Sequence, residues 1–198
     1  PDGARAGPPQ FFELLNQGKQ SVALALNTRQ GQRQLRALID QVDVVIEGSR
    51  PRALRQMGII AEDIIDTNPG LTWLSINGYG RNESQASRLA YGDDAGVAAG
   101  LSRIMHEVTG QWVICGDAIA DPLTGIHAAV SGWASWLTGG GHLLDLSLYQ
   151  TVGHCIHWAE NNFPSVLERQ KQWLQCLGES PVTFGQAAAR PVLSNAAA

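Results

Sequence analysis

Two short apolar runs, Val42-Asp43-Val44-Val45-Ile46-Glu47 and Leu71-Thr72-Trp73-Leu74-Ser75-Ile76, constrain the fold of this chain more than any other feature. Both are rich in β-branched and aromatic residues and lack the strict polar alternation of a strand with one wet face. They read as strands covered on both sides, the kind found in parallel sheets. Parallel neighbours need a long crossover, usually helical, and the intervening sequence supplies one. Pro51 opens a short helix that runs to Met57 and is closed by Gly58, and residues 61–67 form a second helix before the turn Asn68-Pro69-Gly70. Upstream, Thr28 caps a helix whose Leu35, Leu38 and Ile39 share one face at i, i+3 and i+4. Residues 21–26, 112–115 and 143–146 read as further short strands, and the small-residue run 94–101 as a closely packing helix. The expected fold is α/β: a mostly parallel, doubly wound (Rossmann-like) sheet flanked by helices. It should occupy residues 1–177, with the Ala-, Pro- and Ser-rich residues 178–198 a loosely held tail.

Composition narrows the function. The 198 residues carry 14 basic and 18 acidic side chains, a net charge of −4, so no phosphate-neutralising surface for nucleic acid is present. No apolar run reaches the ~18 to 20 residues that span a bilayer, and the sequence opens without a signal-peptide pattern, so a cytoplasmic protein is expected. Cys115, Cys155 and Cys176 are odd in number and widely spaced, which points to buried thiols rather than a disulfide framework or a metal site.

In open α/β sheets ligands bind outside the carboxyl ends of the strands. Here those ends lead into Gly48-Ser49-Arg50-Pro51-Arg52 and Asn77-Gly78-Tyr79-Gly80-Arg81. Neither matches the GxGxxG or GxxxxGK[ST] nucleotide fingerprints. The richest stretch is Gly116-Asp117-Ala118-Ile119-Ala120-Asp121-Pro122-Leu123-Thr124-Gly125-Ile126-His127. With Pro122 at the first helical position, Asp121 falls at the N-cap of a helix running to residue 137, its stripe of Ile126, Ala129, Val130, Trp133 and Leu137 facing the core. An N-cap acid needs no further explanation. An acid held ionised at a helix end is also a usable nucleophile for acyl transfer, and the local pattern leaves both readings open. Glycines 139–141 end this helix, and Ser147 caps a long one reaching about residue 169.

Several segments together resemble the class III CoA-transferases, the family of formyl-CoA transferase, carnitine CoA-transferase and the α-methylacyl-CoA racemases. In order they are Asp2-Gly3-Ala4-Arg5, Leu15-Asn16-Gln17-Gly18-Lys19-Gln20-Ser21-Val22, residues 42–47 with Arg50-Pro51, Leu54-Arg55-Gln56-Met57-Gly58, Asn68-Pro69-Gly70-Leu71, Ile76-Asn77-Gly78-Tyr79-Gly80, Asp121 to His127, and Leu144-Asp145-Leu146-Ser147-Leu148. The resemblance implies that Asp121 is a catalytic nucleophile, taking an acyl group from acyl-CoA as a mixed anhydride and then CoA as an aspartyl thioester, before a second carboxylic acid completes the exchange. Helix-end amides would stabilise the developing oxyanion. By the same matching Arg5, Leu15, Lys19, Gly48, Ser49 and Arg50 hold the CoA nucleotide, where cations suit its phosphates. Coenzyme A is then a substrate, with no permanently bound cofactor and no metal, and the acceptor is a carboxylate. Racemases of the family carry a His-Asp pair where this chain reads Tyr91-Gly92, which disfavours racemisation. The chain is about half of a typical member: the first strand and most of the second domain, with its glycine-rich lid, are expected to be absent. Members form interlocked dimers, so a homodimer or pairing with a complementary chain is expected. A non-catalytic CoA-binding or partner subunit is the alternative function, and acyl-CoA racemase the third.

Overall fold

The computed structural model describes residues 9–81, 84 and 86–177; the expectations for Arg5 and for the tail lie outside them. The elements among these residues are α1 (Pro9–Asn16), α2 (Arg29–Ile39), β1 (Val44–Glu47), α3 (Pro51–Gln56), α4 (Ala61–Thr67), β2 (Thr72–Asn77), α5 (Gly92–Ala99), α6 (Leu101–Thr109), α7 (Ala120–Leu137), β3 (His142–Ser147), α8 (Leu148–Asn162) and α9 (Val166–Leu177). The three strands form one sheet in the order β1-β2-β3, both pairings parallel, with Trp73 opposite Val45 on one side and Leu143 on the other.

The pleat of β2 divides the core in two. Trp73, fully buried, packs with Ile39, Ile59, Ala61, Ile64 and Leu71, so α2 and α4 cover that face. Thr72 and Leu74 point the other way, into α7. The Thr72 hydroxyl lies 2.8 Å from Ser135 Oγ, and a Cβ added to Gly132 would stand 2.8 Å from Leu74 Cδ1. A second cluster of Ala95, Ala120, Leu148 and Val152 joins α5, α7 and α8. Helices on both faces of a parallel sheet make the doubly wound arrangement the strand pattern predicts.

Thr28 caps α2 as expected, accepting a hydrogen bond from the Gly31 amide at 3.1 Å, and Ser147 caps α8 through the Gln150 amide at 3.1 Å. Five expectations are corrected. Residues 21–26 and 112–115 form no strand, because among the described residues no neighbouring strand lies alongside to complete a ladder. The run at 94–101 is two helices, α5 and α6, parted at Gly100, whose φ of 107° is left-handed. The helix from Ser147 stops at Asn162, because Pro164 removes an amide and restricts the residue before it.

The fourth correction concerns α7. Ile126, Val130, Trp133 and Leu137 are each more than 60% exposed, and Ala129 faces solvent too. The buried face is instead Ala120, Thr124, Ala128, Gly132 and Ser135. Both stripes repeat at helical spacing, and the one with small side chains lets the helix axis approach the sheet most closely. The fifth concerns the thiols: Cys115 and Cys155 are half-buried and Cys176 on α9 is exposed, all three free.

Candidate functional site

The carboxyl ends of β1 and β2, the start of α8 and the first turn of α7 enclose a cleft of about 930 Å³. Gly48, Ser49 and Arg50 follow β1 into its wall, Asn77 ends β2 with Gly78 and Gly80 after it, and Leu148 follows β3. Asp121 lines the same cleft and is exposed to it. Four of the residues singled out from the sequence, Gly48, Ser49, Arg50 and Asp121, are thus brought together. Leu15 and Lys19 are not among the cleft-lining residues: both are exposed, and the Lys19 ammonium donates to the Leu15 carbonyl at 2.6 Å.

Two loops hold the cleft open. Glu47, 6% exposed at the end of β1, accepts from Trp73 Nε1 at 2.7 Å and from the Ser49 hydroxyl at 3.3 Å. Arg81, at the far end of the second loop, reaches Glu47 at 3.7 Å and Glu62 at 3.0 Å and donates to Ser75 Oγ. Burial pushes the Glu62 carboxyl up, but its own backbone amide and the guanidinium groups of Arg81 and Arg55 outweigh this and hold it below the ordinary value. From β3, Asp145 accepts from Asn77 Nδ2 at 3.0 Å and from the Arg81 amide at 2.8 Å, while Asn77 Oδ1 receives the Gly80 amide. Gly78 accepts from Ser147 Oγ and the Tyr149 amide. Arg88 stacks on the Tyr79 ring at 3.9 Å and adds a cation to the cleft wall. Charge and carbonyl networks of this sort fix a loop because each buried polar atom is costly to leave unpaired.

Asp121 is placed differently from the expectation. The N-cap of α7 is Ile119, so Asp121 is the second helical residue, two past the cap, and Pro122 follows it. The reason is the turn ahead of the helix: Ala118 adopts a left-handed φ of 49°, and the Asp121 amide bonds to the Ala118 carbonyl at 2.9 Å. That amide is therefore engaged, and Pro122 has none, which narrows the set of helix-end donors available to an oxyanion. Nor is the carboxyl held below its ordinary value. Burial raises its proton affinity, and the neighbouring charge of Asp93 raises it further.

The start of α5 meets this turn. Gly92 is buried, and a Cβ there would stand 2.6 Å from both Asp121 Oδ2 and the Ala118 carbonyl. Sequence reasoning missed this contact and Asp93 with it, because Gly-Asp-Asp at a helix start is indistinguishable from acids that answer the helix dipole. Among the described residues no cluster of His, Cys, Asp and Glu is arranged to hold a metal ion.

A sequence model of CoA-transferase family III matches residues 1–175. This chain belongs to that family. Among its relatives, human succinyl-CoA:glutarate CoA-transferase is 28% identical over 177 residues, which are 84% of this chain and 40% of the relative. Formyl-CoA:oxalate CoA-transferase from Escherichia coli is 30% identical over 146 residues, 72% of this chain and 35% of the relative. A CaiB/BaiF family protein from Brucella suis has the same fold at a TM-score of 0.61 and 25% identity, covering 75% of this chain and 42% of that one. A hypothetical protein from Mycobacterium tuberculosis does so at 0.63 and 24%, covering 81% and 43%. The chain thus spans well under half the length of the family III members it matches. No helix among the described residues is long and apolar enough to cross a membrane.

Proposed function

We propose that this chain carries the acyl-transfer site of a family III CoA-transferase, with Asp121 as its nucleophile. The observation that supports it is the cleft itself, which joins an accessible carboxylate to the loop Gly48-Ser49-Arg50 at the carboxyl end of the sheet. The Asp121 carboxylate attacks the thioester carbonyl of an acyl-CoA and expels CoA thiolate, leaving a mixed anhydride. The thiolate attacks the aspartyl carbonyl and releases the first carboxylate, leaving an aspartyl thioester. The acceptor carboxylate attacks that thioester, again expelling the thiolate. The thiolate then attacks the acceptor's acyl carbonyl, giving the new acyl-CoA and restoring Asp121. A carboxylate of raised proton affinity is the stronger nucleophile once ionised, which suits this role.

Arg50, Arg52 and Arg88 supply the cations for the phosphates of CoA or the carboxylate of the acceptor. Two of the named relatives act on dicarboxylates, glutarate and oxalate, and an acceptor of that class suits the three cationic side chains of this cleft. Arg5, Leu15 and Lys19 remain part of the proposed CoA site through the family resemblance. The exposed stripe of α7 favours association with a second copy or a complementary chain. A cytoplasmic setting suits three free thiols.

Asp121→Ala should abolish transfer, and hydroxylamine should trap an acyl-enzyme in the parent and none in the variant. Transfer that survives the substitution ends this reading. A second reading, favoured by the exposed apolar stripe of α7, is a non-catalytic CoA-binding or partner subunit of a larger transferase. Calorimetry with CoA, alone and with a candidate partner chain, separates the two. Racemisation is third: its His-Asp pair has no counterpart at Tyr91-Gly92, where a side chain on residue 92 would collide with Asp121. Exchange of the substrate α-proton into deuterated water tests it.

A further inference from the structure

We infer that Asp93 is a positioning residue for Asp121, anchoring the turn that leads into α7 and setting a second negative charge beside the carboxylate. The inference rests on Asp121 being the reacting acid. Its geometric basis is a short chain of contacts. Asp93 Oδ1 accepts the Ala118 amide at 2.8 Å, and the Ala118 carbonyl accepts the Asp121 amide at 2.9 Å. Both polar groups of one peptide-bearing residue are thereby used to tie α5 to the first turn of α7.

That residue is also the strained one. Among the described residues Ala118 alone has a positive φ without being glycine. A left-handed alanine is strained and persists only where its surroundings over-determine it. Asp93 is the side chain that does so. Next to it, Gly92 is packed so tightly against the Ala118 carbonyl and Asp121 Oδ2 that no side chain fits. The two helix starts therefore meet at the carboxylate with little freedom to shift.

An anchor alone does not require an acid. An asparagine or serine oxygen also accepts an amide, more weakly, without repelling the carboxylate nearby. Placing an anion here opposes ionisation of Asp121, in the same direction as burial. The α5 N-terminus favours an acid at this position, and the same charge acts on Asp121 in the direction that a stronger nucleophile requires. Other ionisable groups on α5, α7 and the cleft wall include Asp94, Tyr91, Asp117, His127, Arg50, Arg52 and Arg88, and the neighbouring charge of Asp93 adds to burial in raising the proton affinity of Asp121.

Two variants of the full chain separate anchor from charge. Asp93→Asn keeps an acceptor for the Ala118 amide and loses the charge; Asp93→Ala loses both. The readouts are the NMR titration of the Asp121 side-chain carboxyl, hydrogen exchange at the Ala118 amide, and kcat and KM for CoA transfer. In Asp93→Asn the Asp121 midpoint moves to lower pH while the Ala118 amide stays protected. In Asp93→Ala the midpoint falls and the amide exchanges faster, with kcat reduced about tenfold or more and KM within about twofold. An unchanged Asp121 midpoint in Asp93→Asn overturns the inference, as does a protected Ala118 amide in a folded Asp93→Ala. Titration and exchange need no turnover. A parent that forms no acyl-enzyme with hydroxylamine therefore counts against the nucleophile and leaves the positioning result to be read separately.

Discussion

Gly92 and Asp121 are in van der Waals contact across the junction of α5 and α7, with Oδ2 of the acid 2.6 Å from where a Cβ on the glycine would sit. Replacing Gly92 with Ala forces the carboxylate or the Ala118 carbonyl aside. Overpacking of this kind costs about 1–3 kcal/mol, read as a lower urea midpoint. Transfer should fall by a larger factor than stability alone explains, since a reacting group misplaced by an ångström loses about a hundredfold.

Asp121→Asn should be at least as stable as the parent at pH 7. The folded-state carboxyl has its proton affinity raised above the ordinary value of 3.8, so folding favours the protonated form. The stability linked to that proton is present below 3.8 and is lost as pH rises through the folded-state value. The variant escapes this loss. Thermal melts from pH 7 downward should show its advantage shrinking toward 3.8; a variant less stable at pH 7 contradicts the assignment.

The Glu47 network makes a separate stability prediction. Trp73→Phe keeps an aromatic ring in the core but is smaller and removes the donor at 2.7 Å from a carboxylate that is 6% exposed, a loss of about 1–3 kcal/mol for the unpaired carboxylate with a cavity cost added. Arg81→Met strips Glu47 of its guanidinium and should cost about 3–5 kcal/mol. Denaturant unfolding measures both. Equal stability in Arg81→Met would show that the pair is solvated.

On α7 the two stripes should respond oppositely. Ala128→Leu, on the buried small-residue face, should lower stability by about 1–3 kcal/mol. Trp133→Glu, 65% exposed, should change monomer stability by less than about 0.5 kcal/mol. If the stripe is an association surface, sedimentation will show Trp133→Glu shifted to the lighter species. An unchanged sedimentation coefficient in a self-associating parent removes α7 from the interface.

Much of the layout is legible in the residues. Val44–Glu47 and Thr72–Asn77 are strands because β-branched and aromatic side chains suit a pleat covered on both faces, and a parallel pair demands the helices between them. Thr28 and Ser147 cap their helices through their own side chains, a local interaction that needs no tertiary partner. Gly48, Ser49, Arg50 and Asp121 share one cleft because strand ends and helix starts in this topology converge on one edge.

What sequence left open depends on neighbours distant in the chain. Residues 21–26 and 112–115 have strand composition, but a strand exists only where another lies beside it. The apolar stripe of α7 and its small-residue stripe have the same period; the sheet selected the second because Gly132 and Ser135 allow close approach to Leu74 and Thr72. Asp121 sits two residues deeper than capping rules place it, since a turn held by Asp93, 25 positions away from Ala118, starts the helix early. Spacing thus determined which residues meet at the strand ends. Only packing between separate elements decided which face of α7 is buried, and it is packing too that sets the position and proton affinity of Asp121.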